Sequence, residues 1–169
     1  MNNQSKLLRQ VRRLLVVFVV GLIISGVSAF PIQTGLRLIH EAILSHQLSN
    51  TFTQWLETVY LGVEHTYSKY PFIAYGTDWL AFAHIVLAIL FAGIIRDPLR
   101  NIWVIEFGLI ACVAIFPLAL IAGPIRGIPF FWQLLDCSFG IAGGAVLWIC
   151  HRKVKRLSSF AHANMSVQN

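Results

Sequence analysis

Three ionisable side chains stand where hydrocarbon is expected: His84, Glu106 and Asp136 each interrupt a long apolar run. A group that can carry charge is costly inside a bilayer unless it faces protein and finds a partner, so each is a candidate for chemistry by default. A histidine beside a carboxylate can hold a proton or bind a ligand. His84 shares a helix side with Ala81, Ala88 and Ala92, and Asp136 shares one with Gly140, Gly143 and Gly144. Small residues let neighbouring helices approach, so both sides should point inward. Each group lies about seven residues, roughly 10 Å, from the end of its run. The matched depth predicts a buried polar centre of His84 and Asp136, serving either as a proton-handling or binding pair or as a clasp for helix packing. Asp78 and Arg126 would pair at the membrane surface beside it, with Gln133 between. Glu106 stands at the level of Arg12, Arg13, Arg100 and Arg152, and a structural ion pair, with Arg100 as the candidate partner, is its expected role.

Other chemistries find no support in the residue pattern. The chain contains no Gly-rich phosphate loop, HExxH or GxSxG, so no catalytic residue is assigned. Cys112, Cys137 and Cys150 lie in or at the end of apolar runs without a CxxC, which reads as buried thiols and assigns no metal. Haem held by two histidines needs both at similar depth on facing helices. His40 and His65 fall in the hydrophilic region and His151 at the far end of a run, so haem at His84 is disfavoured and no cofactor is indicated. The net charge of +6 and pI near 9.7 would suit a nucleic-acid binder, but the basic residues cluster at the ends of apolar runs. That distribution encodes topology, and a nucleic-acid partner is not expected.

The elements that must position these groups follow from composition. Of the 169 residues, 57% are hydrophobic and 12% charged, with mean hydropathy +0.70. Soluble domains carry about 25% charged residues. The chain is therefore expected to be a single membrane domain over 1–169: an all-α polytopic membrane protein with four transmembrane helices. The spans fall at about 13–30, 77–95, 98–122 and 129–150. Gly21, Ser25 and Ala29, spaced four apart, predict the packing face of the first span. That span also admits a reading as a secretory signal cut after Ala29, but its length and Pro31 favour retention. Thr77 should cap the second span and place Asp78 in its first turn. Asp97 and Pro98 should open the third, Pro117 should kink it, and Gly123-Pro124 should stop it. A polar tail from about 157 to 169 is expected to be disordered.

Residues 31–75 form the hydrophilic region. Leu36, Ile39 and Ile43 suggest one short helix; Phe52, Trp55, Leu56, Val59, Tyr60 and Val63 mark the apolar stripe of a second. Thr51 and Gln54 should cap it and Pro71 stop it. Its opposite face carries Gln54, Glu57, Thr58, Glu64 and His65 and lacks the Lys/Arg of a lipid-attracted helix. Amphipathic helices across the outer face of the membrane domain are the result. Lys6, Arg9, Arg12, Arg13, Arg96, Arg100, Arg152, Lys153, Lys155 and Arg156 lie on one side of the spans; Arg37, Lys69 and Arg126 lie on the other. The positive-inside rule then makes both termini cytoplasmic.

The segments YPFIAYGTDWLAFAH, RDPLRNIWVIEFG and GPIRGIPFFWQLLDCSFG, over about half the chain, resemble a family of small uncharacterised bacterial inner-membrane proteins. The resemblance implies a bacterial inner membrane and carries no activity or site residue with it. The function expected is a non-enzymatic accessory or assembly subunit, in the lipid bilayer, presenting an amphipathic helix to a membrane-protein partner or to another copy of itself. The alternative is a small oligomeric transporter or ligand-binding protein built on His84 and Asp136. An enzymatic role is the least favoured.

Overall fold

The computed structural model describes residues 3–166, with side chains over residues 4–160. Helix α1 spans Asn3–Ala29, α2 Ile32–Ser45, α3 Thr51–Lys69, α4 Ala74–Arg96 and α5 Ile102–Pro117; a π-helical turn, Leu118–Ala122, leads to the single turn α6, Gly123–Ile125, and α7 spans Phe130–Ser166. No strand occurs among the described residues. Four stretches are long and apolar enough to cross a bilayer: Gln4–Ala29, Pro71–Arg96, Ile102–Ile125 and Phe130–Phe160. The protein is an all-α, multi-pass membrane protein, as its hydropathy predicts.

The chain divides into two compact units, residues 1–21 with 88–169, and residues 22–87. In the first, α5 and α7 run antiparallel: Glu106 meets His151, Gly108 faces Leu147, and Gly140 faces the Cys112 carbonyl. The start of α1 is antiparallel to α7 as well, with Gln10 bonded to Lys153 at 2.6 Å and Phe18 against Gly143. Val11, Leu15, Phe91, Ile94, Ile105, Leu147, Cys150 and Val154 fill the core between them. Arg12 donates from Nε to the Ile95 carbonyl at 3.0 Å and from Nη2 to the Arg96 carbonyl at 3.3 Å. The guanidinium thus satisfies carbonyls that the end of α4 leaves without intrahelical donors, and it suits the negative end of the dipole.

In the second unit α2 and α3 form an antiparallel helical hairpin. Its turn works because Gln47 takes a left-handed conformation, φ 50°, so that the Leu48 N–H reaches back to the Ile43 carbonyl. Asn50 then caps α3: its side chain accepts from the Thr53 N–H, and the Thr53 hydroxyl accepts from the Asn50 N–H, both at 2.9 Å. The reciprocal cap is one residue earlier than the expected Thr51 and Gln54. Lys69 ends α3, and Pro71 opens the 3-10 turn Pro71–Ile73 that leads into α4.

Several boundaries move for physical reasons. Helix α4 starts at Ala74, so Thr77 lies inside it and uses its hydroxyl on the Tyr67 hydroxyl at 2.7 Å instead of capping. Asp78 is consequently beyond the first turn. Residues 97–101 form a separate turn in which the Arg100 N–H donates to Asp97 Oδ1 at 3.2 Å, and α5 begins only at Ile102. Asp97 therefore caps the link, not the span. After Pro117 the backbone widens into the π turn, the disturbance expected where a proline removes a donor. Gly123 and Pro124 continue for one more turn; the left-handed residue that ends it is Gly127, φ 69°. The tail expected from about 157 continues α7 to Ser166 instead, with Leu157 buried, while residues 167–169 lie outside the described residues.

Packing faces follow the same logic. On α1 the buried line is Val11, Leu15, Val19 and Gly26, and Gly21 has no atom within 4 Å of where a side chain would begin. The Gly21, Ser25, Ala29 spacing is thus not the contact; a Cβ on Gly26 would lie 2.9 Å from the Ala81 carbonyl and 3.0 Å from His84 Cβ. Ala81 and Ala88 are buried as their spacing predicts, whereas Ala92 is exposed and Phe91 takes the inward place.

Candidate functional site

His84 sits on α4 in the second unit, half-buried, with Nδ1 2.8 Å from the Leu80 carbonyl one turn earlier. Its own helix therefore supplies a hydrogen-bond partner, and Gly26 of α1 lies against its Cβ. Asp78 is half-buried on the same helix. Asp136, Gln133 and Arg126 belong to the first unit. Asp136 is half-buried on α7, and among the described residues it has no hydrogen bond or ion pair.

Gln133 is the most buried of the group, 4% exposed. Its Nε2 donates to the Ile128 carbonyl at 2.7 Å, and its methylenes occupy the space a side chain on Gly123 would need, 2.8 Å from Cγ. The amide ties the α6–α7 turn to the first turn of α7. Arg126 lies exposed in that turn, with its N–H on the Ala122 and Gly123 carbonyls.

Glu106 pairs with His151, Oε1 to Nε2 at 3.0 Å, rather than with Arg100. The His151 side chain is 12% exposed and Glu106 49%. The His151 ring stacks at 6.4 Å on Trp148, one turn earlier on α7. The abundance of Lys/Arg near Glu106 favours Arg100 by sequence, but the antiparallel register of α5 on α7 brings His151 opposite. A histidine directly preceding a basic cluster was the available signal.

The hairpin of the second unit carries its own polar contacts. Gln33 Nε2 donates to Glu64 Oε2 at 2.8 Å, which turns Glu64 toward α2 instead of leaving it on the free polar face. His40 stacks on Tyr60 at 4.3 Å with its Nδ1 shielded from solvent and without a hydrogen-bond partner. Trp55, Leu56, Val59, Tyr60 and Val63 are half-buried, while Phe52 is exposed.

Two adjoining apolar hollows, of about 460 and 360 Å³, share Leu109 and Val113 of α5; the larger runs between α5 and α7 to Trp148. Cys112, Cys137 and Cys150 are buried free thiols. Among the described residues, no three His, Cys, Asp or Glu side chains gather as a metal set. The polar side chains described within each unit thus mostly tie helices and turns together. No protein-family model matches the chain, and neither curated proteins nor solved structures provide a significant match.

Proposed function

We propose that this membrane protein is an accessory or assembly subunit that presents the α2–α3 hairpin to a membrane-protein partner. The carrying observation is that the hairpin, which lies outside the four spans, exposes Leu38, Ile39, Leu44, Leu48, Phe52 and Leu61. Large apolar side chains exposed on a helical hairpin outside the spans suit an interaction surface. A lipid interface would favour basic residues around them, yet residues 31–75 contain Arg37 and Lys69 against Glu41, Glu57 and Glu64. A protein partner suits that chemistry better. Ten of the thirteen Lys/Arg residues lie before the first span, between the second and third, or after the fourth. That distribution supports cytoplasmic termini and, for a bacterial inner membrane, a hairpin on the periplasmic side. The test is a photo-crosslinking residue at Leu38 or Leu61 of the full chain in native membranes. One discrete adduct with another membrane protein, lost on adding Leu44→Glu, is expected; adducts with lipid alone would refute the proposal.

A second reading rests on Asp136, whose half-buried carboxyl in a span lacks a partner among the described residues. Such a group is a ligand or proton site by default. In liposomes, pH-dependent flux lost on Asp136→Asn and on His84→Ala would establish a transport role, and absence of flux in the wild type would remove it.

A further inference from the structure

We infer that the groove between α5 and α7 is a binding site for an anionic phospholipid of the surrounding bilayer, an acyl chain lying along Leu109, Val113 and Gly144 and the phosphate meeting Arg152. The groove is apolar throughout and, at about 460 Å³, falls within the usual range of small-molecule sites. Leu109 and Val113, one turn apart, make its α5 wall, and Gly140, Gly144 and Ala145 leave the α7 side shallow. Trp148 closes one end, an amphipathic ring of the kind that settles at headgroup depth.

Charge supplies the second half of the site. Arg152 lies one turn beyond Trp148 on the same helix face, about 6 Å along the axis. It is exposed, with no hydrogen bond or ion pair among the described residues. Its neighbours are otherwise engaged: Lys153 is held by Gln10 and Arg12 by the carbonyls that end α4. The carboxylate nearest on α5, Glu106, is turned to His151, Oε1 to Nε2 at 3.0 Å, and not to Arg152. Lys155 and Arg156 add exposed positive charge beyond.

A second transmembrane helix is the competing occupant, and the glycines argue against it. A Cβ on Gly140 would point at the Cys112 carbonyl and one on Gly144 at Cys112 Cβ. The side-chain directions of these glycines are therefore taken by α5, and only their backbone edge lines the groove. What remains at the surface are Ile110, Val113 and Trp148, each more than half exposed, which suit a flexible chain better than a rigid helix.

The test uses the full chain in phosphatidylcholine vesicles containing a minor share of either brominated phosphatidylglycerol or brominated phosphatidylcholine. The Trp148 contribution is the quenching difference between wild type and Trp148→Phe. The anionic lipid should quench it about five-fold more effectively at equal mole fraction, the effect expected of one well-placed cation. Arg152→Gln should make the two lipids equal and Arg152→Lys should retain the preference. Val113→Phe, which fills the groove from its exposed α5 wall and leaves the charge, should reduce quenching by both. Native mass spectrometry of wild type and Arg152→Gln gives a readout independent of Trp148: phosphatidylglycerol retained on the first and lost from the second. Equal quenching in wild type, preference surviving Arg152→Gln, or protection of Trp148 from both lipids would each overturn the inference, the last by showing the groove covered by protein.

Discussion

Gly140→Ala is the sharpest test of how α5 and α7 are joined. The added Cβ would lie 2.8 Å from the Cys112 carbonyl oxygen, whereas ordinary contact begins at 3.4 Å, so the helices must separate by about 0.6 Å at that point. The obstacle is backbone of a regular helix, which cannot rotate aside as a side chain would. Overpacking of this kind costs about 1–3 kcal/mol. Gly93→Ala is the matched control, because nothing lies within 4 Å of its Cβ position. On soluble-helix scales that exchange gains up to ~1 kcal/mol. Gly144→Ala should also be mild, its nearest neighbour being Cys112 Cβ at 3.6 Å. The propensity gain is common to both helical sites, so reversible unfolding in mixed micelles should place Gly140→Ala below Gly93→Ala by the overpacking cost alone, about 1–3 kcal/mol, with Gly93→Ala above wild type. Equal stability of the two variants would show that α5 and α7 do not approach as described.

Three further outcomes follow from individual contacts. Gln133→Leu leaves the Ile128 carbonyl without its 2.7 Å donor and should cost about 1–3 kcal/mol, with faster amide exchange in the turn after α6; unchanged exchange there would count against the tie. Asn50→Ala removes the Oδ1 acceptor of the Thr53 N–H while leaving the backbone N–H of residue 50 on the Thr53 hydroxyl, and should destabilise the hairpin by about 1 kcal/mol, seen as earlier exchange in the first turn of α3. Glu106→Gln and His151→Ala, combined in a double-mutant cycle, should show a coupling of no more than about 1 kcal/mol, since Glu106 is 49% exposed; a coupling several times larger would mean the pair is shielded by something bound over it.

Hydropathy made the four spans legible because twenty-odd apolar residues have few other uses, and the α7 glycines announced their packing face by spacing alone. Local signals failed where a distant partner decided the outcome. Gly21, Ser25 and Ala29 share a face on α1, but the neighbouring helix in that unit lies against Gly26. Thr77 has the chemistry of a cap, yet Ala74 already continues from the 3-10 turn, and the hydroxyl is claimed by Tyr67. Asn50 outcompetes Thr51 because the turn through Gln47 delivers it extended, at φ −145° and ψ 172°, the geometry a cap requires. Glu106 was recognised as one half of an ion pair, and its true partner depended on the register between α5 and α7. The polar centre of His84 and Asp136 rests on shared faces and matched depth; within its own unit His84 has the Leu80 carbonyl at 2.8 Å, and Gln133, expected to lie between charges, is a buried strut.

The π turn after Pro117 has a consequence for insertions and deletions. A π segment is in effect an α-helix that has accommodated one surplus residue, so the face presented after it is rotated from the face before it. Here the residues ahead of the turn keep Gly108 and Cys112 on α7, and those after it deliver Gly123 to Gln133. Shortening the chain by one residue within Leu118–Ala122 would restore regular winding yet carry Gly123 off Gln133. The third span is thus phased by its residue count as much as by its composition, and a deletion there should be tolerated less well than a change of any single apolar side chain in the same turn.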